Sequence, residues 1–472
     1  MIKKLLIANR GEIAVRIVRA CAEMGIKSVA LYSDADRNAL HVKKADDAYH
    51  LGRAPLANYL NPVKIADVAV ALGCDAIHPG YGFLSENPIL ARLCSLRRIH
   101  FIGPPATIIR HMGDKVKARK KMREAGVPVI PGSKRRLPSI AQALRLANTI
   151  GYPVMLKATN GGGGRGIRRC ENADEVRRLF PRVASEAEKA FGKADIFMEK
   201  CIVNPRHIEV QILADKHGNM VHLFERDCSI QRRNQKLIEI APSPQLTPEE
   251  RTLVCEHAVN AAKAVNYQNA GTVEFLLDDK RNFYFMEMNT RLQVEHTVTE
   301  QVTGMDIVQE QIRIAAGAEL SMWQGGVSHR GYAIEMRINA EDPKNNFLPS
   351  FGRITRYYAP GGPGVRTDGA IYTGYTIPPY YDSMCAKVTA WALRWPSVIK
   401  RSQRALDDIR LSGIKTTIPY YRQILSHPDF RNGSFDTGFV EAHPELLSYP
   451  KERPREDMVL AIAAALAAHT GV

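Results

Sequence analysis

Residues 285–296 read Phe-Met-Glu-Met-Asn-Thr-Arg-Leu-Gln-Val-Glu-His. Glu287, Asn289, Arg291, Gln293 and Glu295 fall at every second position, the spacing that puts side chains on one face of an extended strand. Two carboxylates, two amides and a guanidinium gathered there make poor core and unusual surface. Their chemistry is that of a metal and anion site. The carboxylates and Asn289 can hold a hard cation such as Mg²⁺ through oxygen. Arg291 can grip a small oxyanion with two parallel N–H bonds. The competing reading is a solvated strand face with chance spacing.

A glycine-rich element supports the site. Lys157-Ala-Thr-Asn-Gly-Gly-Gly-Gly-Arg-Gly166 follows the apolar strand 152–156. Four consecutive glycines suit neither a helix nor a strand interior. Their bare N–H groups can close over phosphates. The Gly-Lys-Ser/Thr ending of a Walker A loop is missing, and the run does not open a helix after the first strand as a dinucleotide fingerprint does. A plain linker is the alternative, but Lys157 and Arg165 flank the glycines and favour an anion beneath them.

The surrounding pattern must hold these residues in place. Strands at 3–8, 27–32, 75–78 and 99–102 alternate with helices at 11–24, 62–72 and 86–96, which predicts a parallel sheet with helices on its faces. A basic helix spans 115–125. Residues 131–200, with helix 172–190 and strand 195–199, read as a small lobe able to hinge as a lid. Strands return over 205–320, including a hairpin at 271–289 turned by Asp278-Asp-Lys-Arg-Asn282, and helix 305–317 follows. Residues 330–440 are mostly strands, with helix 397–410. A linker at 449–456 leads to an alanine-rich segment, 458–469, expected as an amphipathic helix.

Bulk properties narrow the class. A chain of 472 residues with 45% hydrophobic content can build two or three domains. It has no apolar run near the ~20 residues of a membrane helix, and no signal peptide is read at the N-terminus. Eight cysteines without a Cys-x-x-Cys pair suggest reduced thiols and a cytoplasmic protein. Cys228 reads as a packing residue. The net charge of +16 is dispersed, with no basic tail, so neither nucleic acid nor membrane is expected as a partner. No His/Cys cluster has zinc spacing.

Several segments together resemble the biotin carboxylase family of ATP-grasp ligases over nearly the whole chain. They are Ile7-Ala-Asn-Arg-Gly-Glu-Ile13, His78-Pro-Gly-Tyr-Gly-Phe-Leu-Ser-Glu-Asn87, Met112-Gly-Asp-Lys115, the glycine loop, Asn204-Pro-Arg-His-Ile-Glu209, Glu225-Arg-Asp-Cys-Ser-Ile-Gln-Arg-Arg233, residues 287–296, Arg337-Ile-Asn-Ala-Glu-Asp342 and Tyr380-Tyr-Asp-Ser-Met384. The resemblance implies an α/β ATP-grasp fold with a Rossmann-like N-terminal domain (1–113), an ATP-grasp domain (114–328, lid 131–200), a C-terminal α+β domain (329–445), and a linker and helix (446–472). It implies that ATP phosphorylates bicarbonate to carboxyphosphate, whose CO₂ then carboxylates biotin.

The same resemblance assigns roles. Lys115, Lys157 and the loop glycines Gly162, Gly163 and Gly164 would contact phosphates. Glu199, Lys200, Ile202, Leu276 and Ile414 would line the adenine pocket, with His207, Gln231 and Asn234 on ribose or phosphate. Asn234 stands where the family commonly has histidine. Glu274, Glu287 and Asn289 would bind Mg²⁺ or Mn²⁺. Arg291, Lys236, Gln293 and the Val294 N–H would cradle bicarbonate, with Glu295 as base. Arg337 would stabilise the biotin enolate beside Tyr81 and Gly82. Arg16, Arg19 and Glu23 stripe the first helix, and with Arg366 would build a homodimer contact, altered by Pro363 where phenylalanine is common.

No biotinylation motif and no carboxyltransferase segment are read. The resemblance therefore implies a stand-alone biotin carboxylase that works with a biotin carrier domain and a carboxyltransferase of another chain. The stretch 232–243 and the C-terminal helix favour the biotin carboxylase component of two-subunit pyruvate carboxylase, with that of acetyl-CoA or acyl-CoA carboxylase as the alternative. A carbamoyl-phosphate or amino-acid ligase is the other enzyme reading.

Overall fold

The computed structural model describes residues 2–158, 167–191, 195–449 and 455–470. The N-terminal strands β1 (Lys4–Ile7), β2 (Lys27–Ser33), β3 (Asp47–Gly52), β4 (Ala76–His78) and β5 (His100–Phe101) pair in parallel in the order β3-β2-β1-β4-β5. Helices Gly11–Glu23, Pro62–Ala71 and Pro88–Leu96 connect them, as the alternating pattern predicts. Asn61 and Asn87 cap the second and third by accepting backbone N–H bonds, each with proline at the first turn.

A small three-stranded sheet follows, with β6 (Val154–Ala158) between β7 (Ile167–Cys170) and β8 (Ile196–Lys200). Helices Ile140–Ile150 and Ala173–Phe191 cover it and close a separate core around Leu156, Val176, Val183 and Met198. The lobe expected at 131–200 thus has its own interior.

The site rests on a second, larger sheet. Its strands are β9 (Arg206–Ala214), β10 (Met220–Arg232), β11 (Gln235–Ala241), β12 (Asn269–Leu277), β13 (Phe283–Asn289) and β14 (Tyr332–Asn339), continued by strands Met384–Ala392 and Val365–Gly369. The order is β13-β12-β9-β10-β11-β14-Met384–Ala392-Val365–Gly369, antiparallel throughout. The sheet therefore runs straight across the boundary expected at 328/329.

Strict alternation gives this sheet two unlike faces. In β9, Ile208, Val210 and Ile212 join Val273, Phe275 and Phe285 in a buried core with helix Pro248–Ala264. His207, Glu209 and Gln211 point the other way. Register carries the polar row across the sheet: Glu287 opposes Glu274, Glu274 opposes Glu209, and Glu209 opposes Arg226.

Arg226 is fully buried on that polar side. It donates to Glu209 Oε1 at 2.5 Å, Gln211 Oε1 at 2.8 Å, Thr299 Oγ1 at 3.0 Å and Thr272 Oγ1 at 3.1 Å. One guanidinium thus joins β9, β10, β12 and helix His296–Thr303. Arg226→Met is expected to lower stability by about 3–5 kcal/mol, because breaking a buried ion pair from one side leaves the other charge stranded. A urea-midpoint shift worth less than about 1 kcal/mol would show that the network does not hold the sheet.

Candidate active site

The polar face of the large sheet floors a cleft of about 1080 Å³, walled by the small lobe on one side and by N- and C-terminal segments on the other. Lys115, Lys157, Glu199, Lys200, Ile202, His207, Gln231, Asn234 and Leu276 line it. So do Glu274, Glu287, Asn289, Arg291, Gln293, Val294, Glu295, Lys236, Arg337, Tyr81 and Gly82. Gly162, Gly163 and Gly164 lie outside the described residues. Ile414 does not line the cleft. It packs with Ile354, Ile377 and Leu411 in a neighbouring apolar cluster, and Thr437 lines the cleft from the C-terminal domain instead.

The extended reading of 285–296 holds only in part. Strand β13 ends at Asn289, and residues 290–295 turn into helix His296–Thr303, whose N-cap position is Glu295. The turn carries Arg291 outward to Glu86, whose Oε2 accepts from Nε at 2.9 Å. It drives Glu295 inward, where the side chain is almost wholly buried.

Lys236 is the centre of the site. Its ammonium lies 2.5 Å from Glu295 Oε1, 2.7 Å from Glu209 Oε2 and 3.1 Å from Glu274 Oε1. Burial works against its charge, yet Glu209, Glu274 and Glu295 hold its pKa well above the ordinary lysine value. The second oxygen of Glu295 accepts from Arg337 at 3.0 Å. Burial opposes the ionised form of Glu295 too, but Lys236, Arg337 and Arg226 pull its pKa well below the usual carboxylate range.

Arg337 also pairs with Glu239, which stands opposite Glu335 in the β11–β14 register. Burial first, then the neighbouring carboxylates Glu335 and Glu295, push Glu239 up to about 8 against the pull of Arg337. Burial also raises Glu335. The surplus negative charge near Arg337 is thus relieved by a proton on the Glu239–Glu335 side, while Glu295 stays ionised.

Glu274 and Glu287 face each other in register across β12 and β13. Cations already rest on both, Lys236 on Glu274 and Lys115 on Glu287, the latter at 3.1 Å. Two facing carboxylates offer the oxygen donors that a hard divalent ion prefers. Asn289 donates to Glu274 at 2.8 Å and accepts from Arg291 at 3.2 Å. Gln293 donates to the same Glu274 oxygen at 3.1 Å and accepts from Arg291 at 2.9 Å. His207 Nε2 lies 2.9 Å from Glu274 Oε2.

At the other end of the cleft, Glu199 bridges Lys157 and Arg119, each at 2.5 Å. Sequence reasoning misses Arg119, although it lies four residues after Lys115 on the same basic helix, the spacing of a shared face. It misses Glu209 and Glu86 too, though both sit in matching segments. Asn234 occupies a two-residue hairpin loop between β10 and β11, where Arg233 and Asn234 have φ of +49° and +63°. Asparagine suits that left-handed backbone, which gives a local reason for its presence.

Tyr81 donates to Glu12, whose other neighbour is Lys387 at 3.2 Å. Arg16 pairs with Glu300 at 3.0 Å and Asp306 at 2.6 Å, and Arg366 with Glu300 and Asp368 at 2.6 Å each, all within one chain. Cys228 is fully buried and its thiol is pushed well up by burial, the state of a packing residue. The C-terminal helix Arg455–Thr470 departs from the amphipathic expectation, since residues 458–468 carry no polar side chain and Val459, Leu460 and Ile462 are all exposed. No helix among the described residues is long and apolar enough to cross a membrane.

Comparison with known proteins agrees with this geometry. Residues 1–109 match the family described as biotin carboxylase, N-terminal domain. Residues 114–323 match carbamoyl-phosphate synthase L chain, ATP binding domain, and 335–442 match biotin carboxylase C-terminal domain. The 2-oxoglutarate carboxylase small subunit of Hydrogenobacter thermophilus is 53% identical over 472 residues, covering all of both chains. Biotin carboxylase 1 of Bacillus subtilis is 54% identical over 94% of this chain and 99% of its own. A crystal structure of the Hydrogenobacter thermophilus 2-oxoglutarate carboxylase biotin carboxylase domain dimer, in complex with MgADP, ADP and bicarbonate, superposes with a TM-score of 0.93 at 54% identity, covering 96% of this chain and 100% of that one. The chain therefore belongs to the biotin carboxylase family of ATP-dependent ligases.

Proposed function

We propose that this chain carboxylates biotin carried by a separate subunit, using ATP and bicarbonate, and that its carboxyltransferase partner acts on a 2-oxo acid. The observation that carries the chemistry is Glu295, gripped between Lys236 and Arg337 at the floor of the cleft. ATP lies with its phosphates over Lys115, Lys157 and Arg119, its adenine by Ile202, Leu276 and Thr437, and its ribose by His207 and Gln231. The lobe 131–200 closes over it as a lid, supported by that lobe's separate core.

Glu274 and Glu287, with Asn289, are the residues that would hold Mg²⁺ or Mn²⁺, which neutralises developing charge on transferring phosphoryl oxygens. Arg291, Lys236, Gln293 and the Val294 N–H hold bicarbonate. Glu295 takes its proton and the freed oxygen attacks the γ-phosphorus, expelling ADP. Held by two cations, Glu295 is a weak base at rest. Its basicity recovers as the incoming anions draw Lys236 and Arg337 toward themselves. Carboxyphosphate then releases CO₂ and phosphate. Phosphate takes the biotin N1′ proton, and Arg337 stabilises the enolate oxygen as its charge grows.

The 2-oxo acid reading rests on the full-length relative, which extends over the segment beyond 446, whereas the match to the Bacillus subtilis biotin carboxylase covers 445 residues. Pyruvate is the acceptor that the sequence favours, and a pyruvate carboxylase subunit from Methanothermobacter thermautotrophicus is 51% identical over 94% of this chain and 90% of its own. A homodimer within a larger assembly is part of the same proposal.

The test is ATP cleavage by the purified chain. Bicarbonate dependence with stimulation by free biotin supports the reading. Stimulation by ammonia or an amino acid, but not biotin, overturns it. Glu295→Gln is expected to bind ATP normally and lose biotin carboxylation by about a hundredfold or more. Turnover above about a tenth of wild type would remove Glu295 as the base. Arg337→Ala is expected to lose carboxybiotin formation more than bicarbonate-dependent ATP cleavage, whereas equal losses would assign Arg337 to the phosphoryl step.

A further inference from the structure

Two histidines and two carboxylates meet in the C-terminal domain, outside the cleft. His427 caps the short helix Pro428–Arg431, which carries Asp429. His443 follows helix Phe439–Ala442, and Glu445 lies in the next turn, Pro444–Leu447. None of the four lines the catalytic cleft. His443 Nδ1 stands 2.8 Å from Glu445 Oε1, and its Nε2 3.3 Å from Asp429 Oδ2. His427 Nδ1 lies 3.9 Å from the same Asp429 oxygen, and the two imidazole centres are 4.1 Å apart. One donor atom each from His427, Asp429 and His443 lie within 4.8 Å of one another. A tetrahedral ion with bonds of about 2.0 Å holds its ligand atoms roughly 3.3 Å apart.

The hydrogen-bond pattern points the same way. The short contact to Glu445 occupies Nδ1 of His443 and leaves Nε2 facing the Asp429 carboxylate. A cation held between Nε2 and that carboxylate would serve both as ligands. An outer carboxylate that fixes the ring while the far nitrogen takes an ion is the common second-shell arrangement of metal-bound histidine. The histidine side chains are about one-fifth exposed and the carboxylates about half, which leaves an entry path.

We propose that His427, Asp429 and His443 bind one borderline divalent cation of the Zn²⁺ or Co²⁺ type, with Glu445 orienting His443 and water in the fourth position. His427 contributes Nδ1 and gives up the long 3.3 Å bond it accepts from the Asp429 N–H. Two imidazoles select against Mg²⁺, which prefers oxygen and octahedral geometry. The ion fastens residues 427–429 to 443–445.

The experiment is a Co²⁺ titration of the full chain at pH 7.5 in excess Mg²⁺, which occupies the carboxylate pair of the cleft. Visible absorption and equilibrium dialysis report the ion, and parallel thermal melts use ZnCl₂. One Co²⁺ per chain is expected, with a d–d band and a Zn²⁺-dependent rise in Tm of several degrees. All three should vanish in His427→Ala and His443→Ala, and Glu445→Gln should weaken affinity by about 10–100-fold. Asp429→Asn tests the same site without removing a ring, in case the histidine variants fold poorly, and it too should bind more weakly. The proposal is overturned by absent stoichiometric uptake, or by unchanged uptake in Asp429→Asn or in both histidine variants.

Discussion

One ammonium organises this molecule. Lys236 reaches Glu209, Glu274 and Glu295 at once, from a strand on the far side of β10 from two of them. Three carboxylates drawn this close repel one another strongly in a low-dielectric interior unless such a cation sits among them. The cost of burying them is met by the cations Lys236, Arg226 and Arg337 and by a register that sets Glu209 opposite Arg226.

The two faces of the large sheet divide labour. Ile208, Val210, Ile212, Val273 and Phe275 form the core on one side, and the residues alternating with them form the site on the other. Because the period is two, a slip of one residue would exchange the faces. The hydrophobic side thus fixes the register that the catalytic side needs. Charge is graded along the polar side as well. Burial raises Glu239 and Glu335, whereas Glu295, closer to Lys236, is pulled below the usual carboxylate range. The carboxylate most biased toward ionisation is therefore the one gripped between Lys236 and Arg337 at the cleft floor.

Much of this is legible in the residues, because period-two alternation and fixed motifs report on backbone and chemistry directly. The parallel N-terminal sheet and the 271–289 hairpin form where the pattern predicts them, and Lys236, Arg337, Glu274 and Glu287 line one cleft. Other features depend on long-range packing and leave no local signal. Residues 290–295 continue the alternation of β13 yet turn, because Glu295 must enter helix His296–Thr303. Arg119 and Glu209 act through partners 80 and 27 residues away, Glu199 and Lys236. Ile414 lies in an apolar neighbourhood that a motif could not distinguish from the cleft wall. The C-terminal helix lacks the polar face expected of it, because residues 458–468 are all apolar.

The central claim is that Glu295 is ionised in the resting site while the proton of this cluster lies beyond Arg337. It can be measured by ¹³C NMR of glutamate side-chain carboxyls in the free chain, with Glu295 identified by loss of its signal on substitution. The account predicts an ionised Glu295 whose own titration lies below the pH 5–9 window, and a separate glutamate beside Arg337 titrating near pH 8. A Glu295 signal that is protonated at pH 7, or that titrates with its own midpoint inside that window, would contradict it.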